Sequence, residues 1–266
     1  MEKLFVFIFG LILGSFFNVV LLRKNTGESI VKNGSRCFSC GKKLAWWQNV
    51  PVLSFVSLRG RCSYCGSKIS WQYPIVEISS GIIGVLIYSK LPTSNFQLLT
   101  SWLFYFAAFS LLFLLAAYDF KNKIIDSHFL YAFAAFSAVE FVSRGDFTKD
   151  AASSFLIALL FYLLWRASGG RWMGRGDADA AFWVSLFLGW PLNLGMLFLS
   201  FWLGGLFGAV LLLAIRLPSG LAIGLPFGVK QFGLKSEIPF APFLAGAVFA
   251  VWLFPDFFRA FYDIMI

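Results

Sequence analysis

Charge is scarce in this sequence: only 13% of its 266 residues are Asp, Glu, Lys or Arg, where a soluble domain carries about a quarter. Histidine occurs once, as His128, so a histidine-based triad or metal centre lacks its imidazoles and His128 reads as structural. Neither Gly-x-Ser-x-Gly nor His-Glu-x-x-His is present, which argues against serine and zinc hydrolase chemistry. Internal repeats and low-complexity tracts are absent as well.

Apolar residues fill the space that charge leaves, at 59% hydrophobic and 20% aromatic. Runs of roughly 17 or more apolar residues recur, the length that crosses about 30 Å of hydrocarbon. They are continuous and do not alternate, which excludes a β-barrel pattern. The expected fold is an all-α polytopic membrane protein. Its roughly eight transmembrane helices fall near 4–22, 74–91, 98–118, 127–143, 151–166, 178–190, 193–217 and 239–262. The sixth is short enough to be re-entrant or packed inside the bundle. The first resembles a signal peptide with Lys3 and Gly14-Ser15, and reads as a retained anchor helix. Asn18 within it suits an interhelical hydrogen bond. The expected organisation is a first helix (1–22), an insert (23–72) and a helical bundle (73–266).

A net charge of +9 would suggest nucleic acid in a soluble chain, but its distribution points to a membrane instead. Residues 23–72 hold nine basic side chains against Glu28 alone. Basic loops mark the cytoplasmic side, so the N-terminus is expected outside. Regions 119–126, 166–177 and 216–238 then also face the cytoplasm, and with 23–72 they hold 17 of the 22 Lys and Arg. Lipid is the expected surrounding partner and nucleic acid is not. The glycine- and proline-rich 216–238 reads as a loop that covers the site or merely connects segments.

All four cysteines lie in the basic insert as Cys37-x-x-Cys40 and Cys62-x-x-Cys65, each pair followed by a glycine. Four thiolates suit a closed tetrahedral Zn²⁺ site that folds a small domain and leaves no open position for catalysis. Disulfides are the alternative, disfavoured in a reducing compartment.

Gly174-Arg175-Gly176-Asp177 stands at the seam between two apolar segments. An ionisable residue there is a functional candidate, and its glycines let another backbone approach closely. Asp119 ends an earlier segment, two crossings away, and so belongs on the same face. Two such carboxylates sharing one proton supply an acid and a base together. Taken singly, each has a plainer reading: Asp119 paired with Lys121 or Lys123, Asp177 with Arg171 or Arg175. Glu77, one turn into the second segment, is a candidate for binding a substrate amine or for pairing with a basic loop.

These residues resemble a known family. Gly14-Ser15-Phe16-Phe17-Asn18-Val19 with Arg23, the two Cys-x-x-Cys pairs and Tyr73-Pro74-Ile75-Val76-Glu77 are similar to the motifs of type IV prepilin peptidases. So are Asp119, the Gly-x-Gly-Asp at 174–177 and Ile238-Pro239-Phe240-Ala241-Pro242-Phe243. The resemblance implies an intramembrane aspartyl protease of the bacterial inner membrane, with Asp119 and Asp177 catalytic at the cytoplasmic face. It implies prepilin or pseudopilin precursors as substrates, a short basic leader as the part removed, and often N-methylation with S-adenosylmethionine. No glycine-rich loop after a strand locates a site for that donor. Two positions depart from the pattern: Asp126-Ser127 replaces the usual Pro-Asp, and Asp179 replaces a common lysine. Asp126 is thus a second candidate for the first acid, and both extra acids are candidates for receiving a basic leader beside Gly174 and Gly176. The competing reading is a zinc-clasped membrane scaffold that binds pilin or secretion components without cleaving them.

Overall fold

The computed structural model describes residues 1–32, 34–91, 95–216 and 239–265. Among these there is no β-strand, only single bridges at Arg36–Lys43 and Arg61–Lys68. Ten helices follow in order: α1 Glu2–Arg23, α2 Leu53–Ser57, α3 Gln72–Lys90, α4 Asn95–Asn122, α5 Ser127–Arg144, α6 Phe147–Ser168, α7 Arg175–Leu188, α8 Leu192–Arg216, α9 Ala241–Leu253 and α10 Pro255–Met265. Four of them, α1, α4, α6 and α8, are long and apolar enough to cross a membrane. The expected last segment is broken: α9 and α10 meet at 93°, and the pair counts as a fifth span only if taken together. Pro255 explains the break, since it has no N–H to continue the ladder and restricts Phe254 before it. The connector expected over 216–238 lies, beyond Arg216, outside the described residues.

The chain divides into two compact units, which meet within α4 at Phe106 and Ala107. In the first, α1 and α3 pack along a line of small residues. A Cβ on Gly10 would stand 2.7 Å from the Gly81 Cα, and one on Gly14 only 2.6 Å from the Glu77 Cα. Gly10 and Gly14 are one turn apart, the small-xxx-small arrangement by which membrane helices touch backbones. Asn18, buried beside this seam, donates from Nδ2 to the Tyr73 carbonyl at 3.1 Å, which is the interhelical bond its position suggested. The Trp102 Nε1 donates to the Gly84 carbonyl at 2.9 Å, tying the start of α4 to α3.

The second unit is centred on α7, against which α5, α6, α8 and α9 pack. At 14 residues α7 is about 21 Å long, short of the hydrocarbon thickness. Its small residues Ala178, Ala180 and Ala181 are buried, which lets its neighbours approach. Ala178 and Ala181 join Ile157 and Phe161 of α6 in a core flanked by Leu194, Leu197 and Phe240. The far end of α7 is clamped. Arg144, at the end of α5, donates from a terminal guanidinium nitrogen to the Phe187 carbonyl at 2.7 Å and from the other to that of Leu186. Its Nε reaches Asp150 Oδ2 at 2.8 Å, while Asp150 Oδ1 accepts the Trp190 N–H at 2.8 Å. One buried carboxylate and one guanidinium thus satisfy the carbonyl end of α7 and the chain just after it.

Candidate functional site

Asp119 and Asp177 line one cavity of about 300 Å³ in the second unit, with Gly174, Gly176, Lys123, Ile125, Pro239 and Phe240 around them. Both carboxylates are more than nine-tenths buried. They are close enough for the charge of one to act on the other. Neither has an ion-pair partner among the described residues, so the plainer pairings with Lys121, Lys123, Arg171 or Arg175 are not made in the described structure.

Local helix chemistry holds each acid in place. Asp177 is the third residue of α7, and its Oδ2 accepts the Gly174 N–H at 2.9 Å, closing the first turn. Asp119 lies in the last turn of α4, where its Oδ2 accepts the Ala241 N–H at 3.2 Å. Ala241 opens α9, and Pro242 after it has no N–H, so a carboxylate is the natural partner for that free donor. Asp177 therefore sits at the positive end of the α7 dipole, whereas Asp119 faces the first N–H of α9 from the carbonyl end of α4, so the two dipoles oppose each other there. Gly176 has no room for a side chain, because a Cβ would stand 3.1 Å from that of Ile125. The Pro239-Phe240-Ala241 stretch supplies a wall, a ring and a backbone donor to the same cavity.

The other acids fall elsewhere. Asp126 caps α5: its Oδ1 accepts the N–H groups of His128 at 2.9 Å and Phe129 at 3.3 Å. It is not among the cavity's lining residues. Asp179 is exposed on α7, roughly 200° around the helix from Asp177, in a hollow with Tyr131, Tyr162 and Trp183. Glu77 belongs to the first unit, where its Oε2 accepts the Val52 N–H at 2.8 Å.

The four cysteines are unpaired thiols whose sulfurs all lie within 4.8 Å of one another. Cys37 Sγ and Cys65 Sγ are 3.8 Å apart, the spacing of two ligands on bonds of about 2.3 Å at a tetrahedral angle. The two halves are built alike. Cys37 N–H bonds the Lys42 carbonyl at 3.0 Å and Cys62 N–H that of Ser67 at 2.8 Å. Gly41 and Gly66 each take φ of +71°, the left-handed conformation that closes each turn. Arg36-Cys37-x-x-Cys40-Gly41-x-Lys43 and Arg61-Cys62-x-x-Cys65-Gly66-x-Lys68 are thus an eight-residue repeat, too short for the periods sought in the sequence. Gln48 joins the halves, bonding the Ala45 N–H and the Ser63 hydroxyl. The backbone N–H of Cys40, the Ser67 hydroxyl and the backbone of Ser39 lower the Cys37 thiol to about 6. Cys40 is pushed up to about 11: the backbone of Lys42 pulls it down, but burial and the thiols of Cys37 and Cys65 outweigh that. Four crowded thiols with their tips together suit a thiophilic dication such as Zn²⁺.

The two units follow two family models. The bacterial peptidase A24 N-terminal domain matches residues 8–91, and the type IV leader peptidase family matches 106–209. A prepilin leader peptidase/N-methyltransferase of Klebsiella pneumoniae is 30% identical over 198 residues, covering 70% of this chain and 85% of that protein. The chain belongs to the type IV leader peptidase family. Among other relatives of the same description, that of Myxococcus xanthus is 34% identical over 79% of this chain and 63% of its own length. That of Bacillus subtilis is 28% identical over 97% of this chain and 96% of its own. The chain thus spans just under two thirds of the Myxococcus relative. No solved structure matches significantly.

Within this family member, sequence reasoning missed the Arg144–Asp150 clamp and the glycine seam of α1. The seam had a signal in Gly10-x-x-x-Gly14. The clamp had none, because Arg144 and the carbonyls of Leu186 and Phe187 that accept from it are remote in sequence.

Proposed function

We propose that the protein is a prepilin leader peptidase of the bacterial inner membrane, cutting type IV prepilin or pseudopilin precursors at the cytoplasmic face. The observation that carries this reading is a pair of buried, otherwise unpaired carboxylates, Asp119 and Asp177, lining one cavity in a member of the leader peptidase family. Sharing one proton, the ionised aspartate takes a proton from water while the protonated one hydrogen-bonds the scissile carbonyl. Water adds to the carbonyl carbon, and the acid that gained a proton then gives it to the leaving amine. Gly174 leaves backbone surface beside Asp177 on which the substrate chain can lie, while Gly176, also at the cavity wall, makes room for Ile125. Asp126 and Asp179 stand outside this cavity, the first as the cap of α5 and the second on another side of α7, and Glu77 serves an amine in the first unit.

In this reading 1–22 is the first span, 23–72 a cytoplasmic insert folded by a structural Zn²⁺ on Cys37, Cys40, Cys62 and Cys65, and 73–266 the protease bundle, its N-terminus outside. The eight-span count stands if α3, α5 and α7 cross as inner helices of the bundle, where neighbours relieve their polar residues. The relatives' names carry an N-methyltransferase activity, and we extend it to this chain with S-adenosylmethionine as donor.

The test is purified protein with a prepilin in detergent, with cleavage followed by mass. Wild type and Asp126→Asn should release the leader. Asp119→Asn and Asp177→Asn should lose about 10³-fold or more, as single members of a catalytic unit do. Precursor left intact by wild type, where another leader peptidase cleaves it, would favour the scaffold. Loss in Asp126→Asn with cleavage kept in Asp119→Asn would reassign the first acid.

A further inference from the structure

The insert between α1 and α3 leaves large apolar side chains uncovered. Leu53 and Val56, three residues apart on α2, are 68% and 66% exposed. Trp71, at the foot of α3, is 63% exposed, and its ring centre stands 4.9 Å from that of Phe55 on α2. Apolar side chains grouped and turned outward in this way mark a contact with something apolar.

Depth says what that contact is. Helices α1 and α3 are antiparallel, with Gly10 against Gly81, Gly14 against Glu77 and Asn18 against Tyr73. Glu77 is therefore level with Gly14, nine residues short of the end of α1 at Arg23, or about 13.5 Å along the axis. The Glu77 Oε2 accepts the Val52 N–H at 2.8 Å. A glutamate side chain and one hydrogen bond reach less far than that, so Val52 sits below the end of α1, and α2 begins at the next residue. With 22 residues, about 33 Å, α1 just crosses the hydrocarbon. The level of its last turns is thus the boundary between acyl chains and headgroups. Trp71, two residues before Tyr73, lies at the same level, where the tryptophan rings of membrane proteins collect. A soluble protein could meet α2 only by entering the headgroups, whereas lipid is already there.

Backbone and charge agree with that setting. In lipid each N–H needs a partner within the protein, and those of Val52, Ser54, Val56 and Leu58 are met by Glu77, Val50, Val52 and Ser54. Around α2 the insert exposes Lys43, Arg59, Arg61 and Lys68. None of these four has an ion-pair partner among the described residues, where the pairs of this unit are those of Arg23 and Arg36 with Glu28. Basic side chains beside a short apolar element are the pattern of a segment held to an anionic leaflet.

We propose that α2 is an interfacial membrane anchor whose partner is anionic phospholipid. Leu53, Val56 and Trp71 enter the edge of the bilayer, and Lys43, Arg59, Arg61 and Lys68 meet lipid phosphates. The insert is thereby held to the membrane at a third point, besides the ends of α1 and α3 that it joins.

The experiment places full-length, zinc-loaded protein in nanodiscs of phosphatidylcholine, alone or mixed with phosphatidylglycerol. A phospholipid carrying a diazirine on its acyl chain is included, and labelled peptides are located by mass after ultraviolet light. Label on 50–58 is expected in wild type, beside the label on α1 that reports insertion. Label on α1 with none on 50–58 would overturn the anchor, and this wild-type result decides the case however the variants fold. Leu53→Asn combined with Val56→Asn should lower the label on 50–58 about tenfold or more, since both apolar side chains are lost. Undiminished label in that variant would overturn the roles of Leu53 and Val56. Phosphatidylglycerol should raise the wild-type label about fivefold. Lys43→Gln, Arg59→Gln, Arg61→Gln and Lys68→Gln together should abolish that gain, and a gain that persists would overturn the headgroup contacts. A photoreactive leucine at position 53 should join to lipid; joining to a protein chain instead would overturn lipid as the occupant of this face.

Discussion

Replacing Arg144 with Met removes three bonds at once: the 2.8 Å contact to Asp150 and the donations to the Phe187 and Leu186 carbonyls. Asp150 stays 98% buried with only the Trp190 N–H on its other oxygen. Breaking a buried pair by deleting one partner costs about 3–5 kcal/mol, because the remaining charge is uncompensated. Arg144 is a quarter exposed, so water reaches its site and the lower end, about 3 kcal/mol, is the expectation. Asp150→Asn retains an acceptor for Trp190 and removes the orphaned charge, so its cost should be smaller, about 1–2 kcal/mol. The double variant should then be more stable than the sum of the singles implies, by about 1–3 kcal/mol of coupling. Urea unfolding in mixed micelles, followed by tryptophan fluorescence, measures all four corners. Additive losses, or an Arg144→Met variant as stable as wild type, would refute the claim that this pair anchors the end of α7.

Other expectations concern other elements. Gly14→Ala puts a methyl 2.6 Å from the Glu77 Cα, against backbone that cannot rotate aside. The α1–α3 seam should loosen by about 1–3 kcal/mol, read as a lower unfolding midpoint; an unchanged midpoint would show that the helices do not touch there. Asp126→Ala removes the cap on α5 and should cost about 0.5–2 kcal/mol, with no loss if His128 and Phe129 find other acceptors. Purified protein should carry one zinc by elemental analysis, and Cys62→Ser or a strong chelator should remove it and expose the insert to protease. The pH dependence follows from Cys37. Its depressed value favours the folded state fully above its ordinary 9.0, and that contribution is lost as pH falls toward about 6. A bound dication extends this window downward, so metal should be retained at neutral pH and released on acidification below about 6. Release on raising the pH instead would contradict thiolate ligation.

Much of the molecule was readable along the chain. Apolar runs located α1, α3, α4, α5, α6, α7 and α8 to within a few residues, because burial in lipid or in a bundle demands local composition. The spacing of the paired cysteines suggested that they share one site, and the sulfurs do converge. The count of crossings put Asp119 and Asp177 at one end of the bundle, and they share a cavity. Asp126 was read as a possible reactive acid, although its place just ahead of a helical run is that of a cap. The 239–262 run was taken as one segment despite Pro255, because average hydropathy does not register a single missing N–H.

What the chain determines by itself is which stretches must leave water and which side chains carry reactive chemistry, since both depend on residues near one another in sequence. Which groups meet is decided only by packing. Ala241 finds Asp119 across 122 residues, and Arg144 finds the end of α7 across more than forty. Glu77 is left without a cation among the described residues of its own unit. Each of these results follows from helices settling against one another, where a free donor or a buried charge must be matched by whatever the neighbouring helix presents.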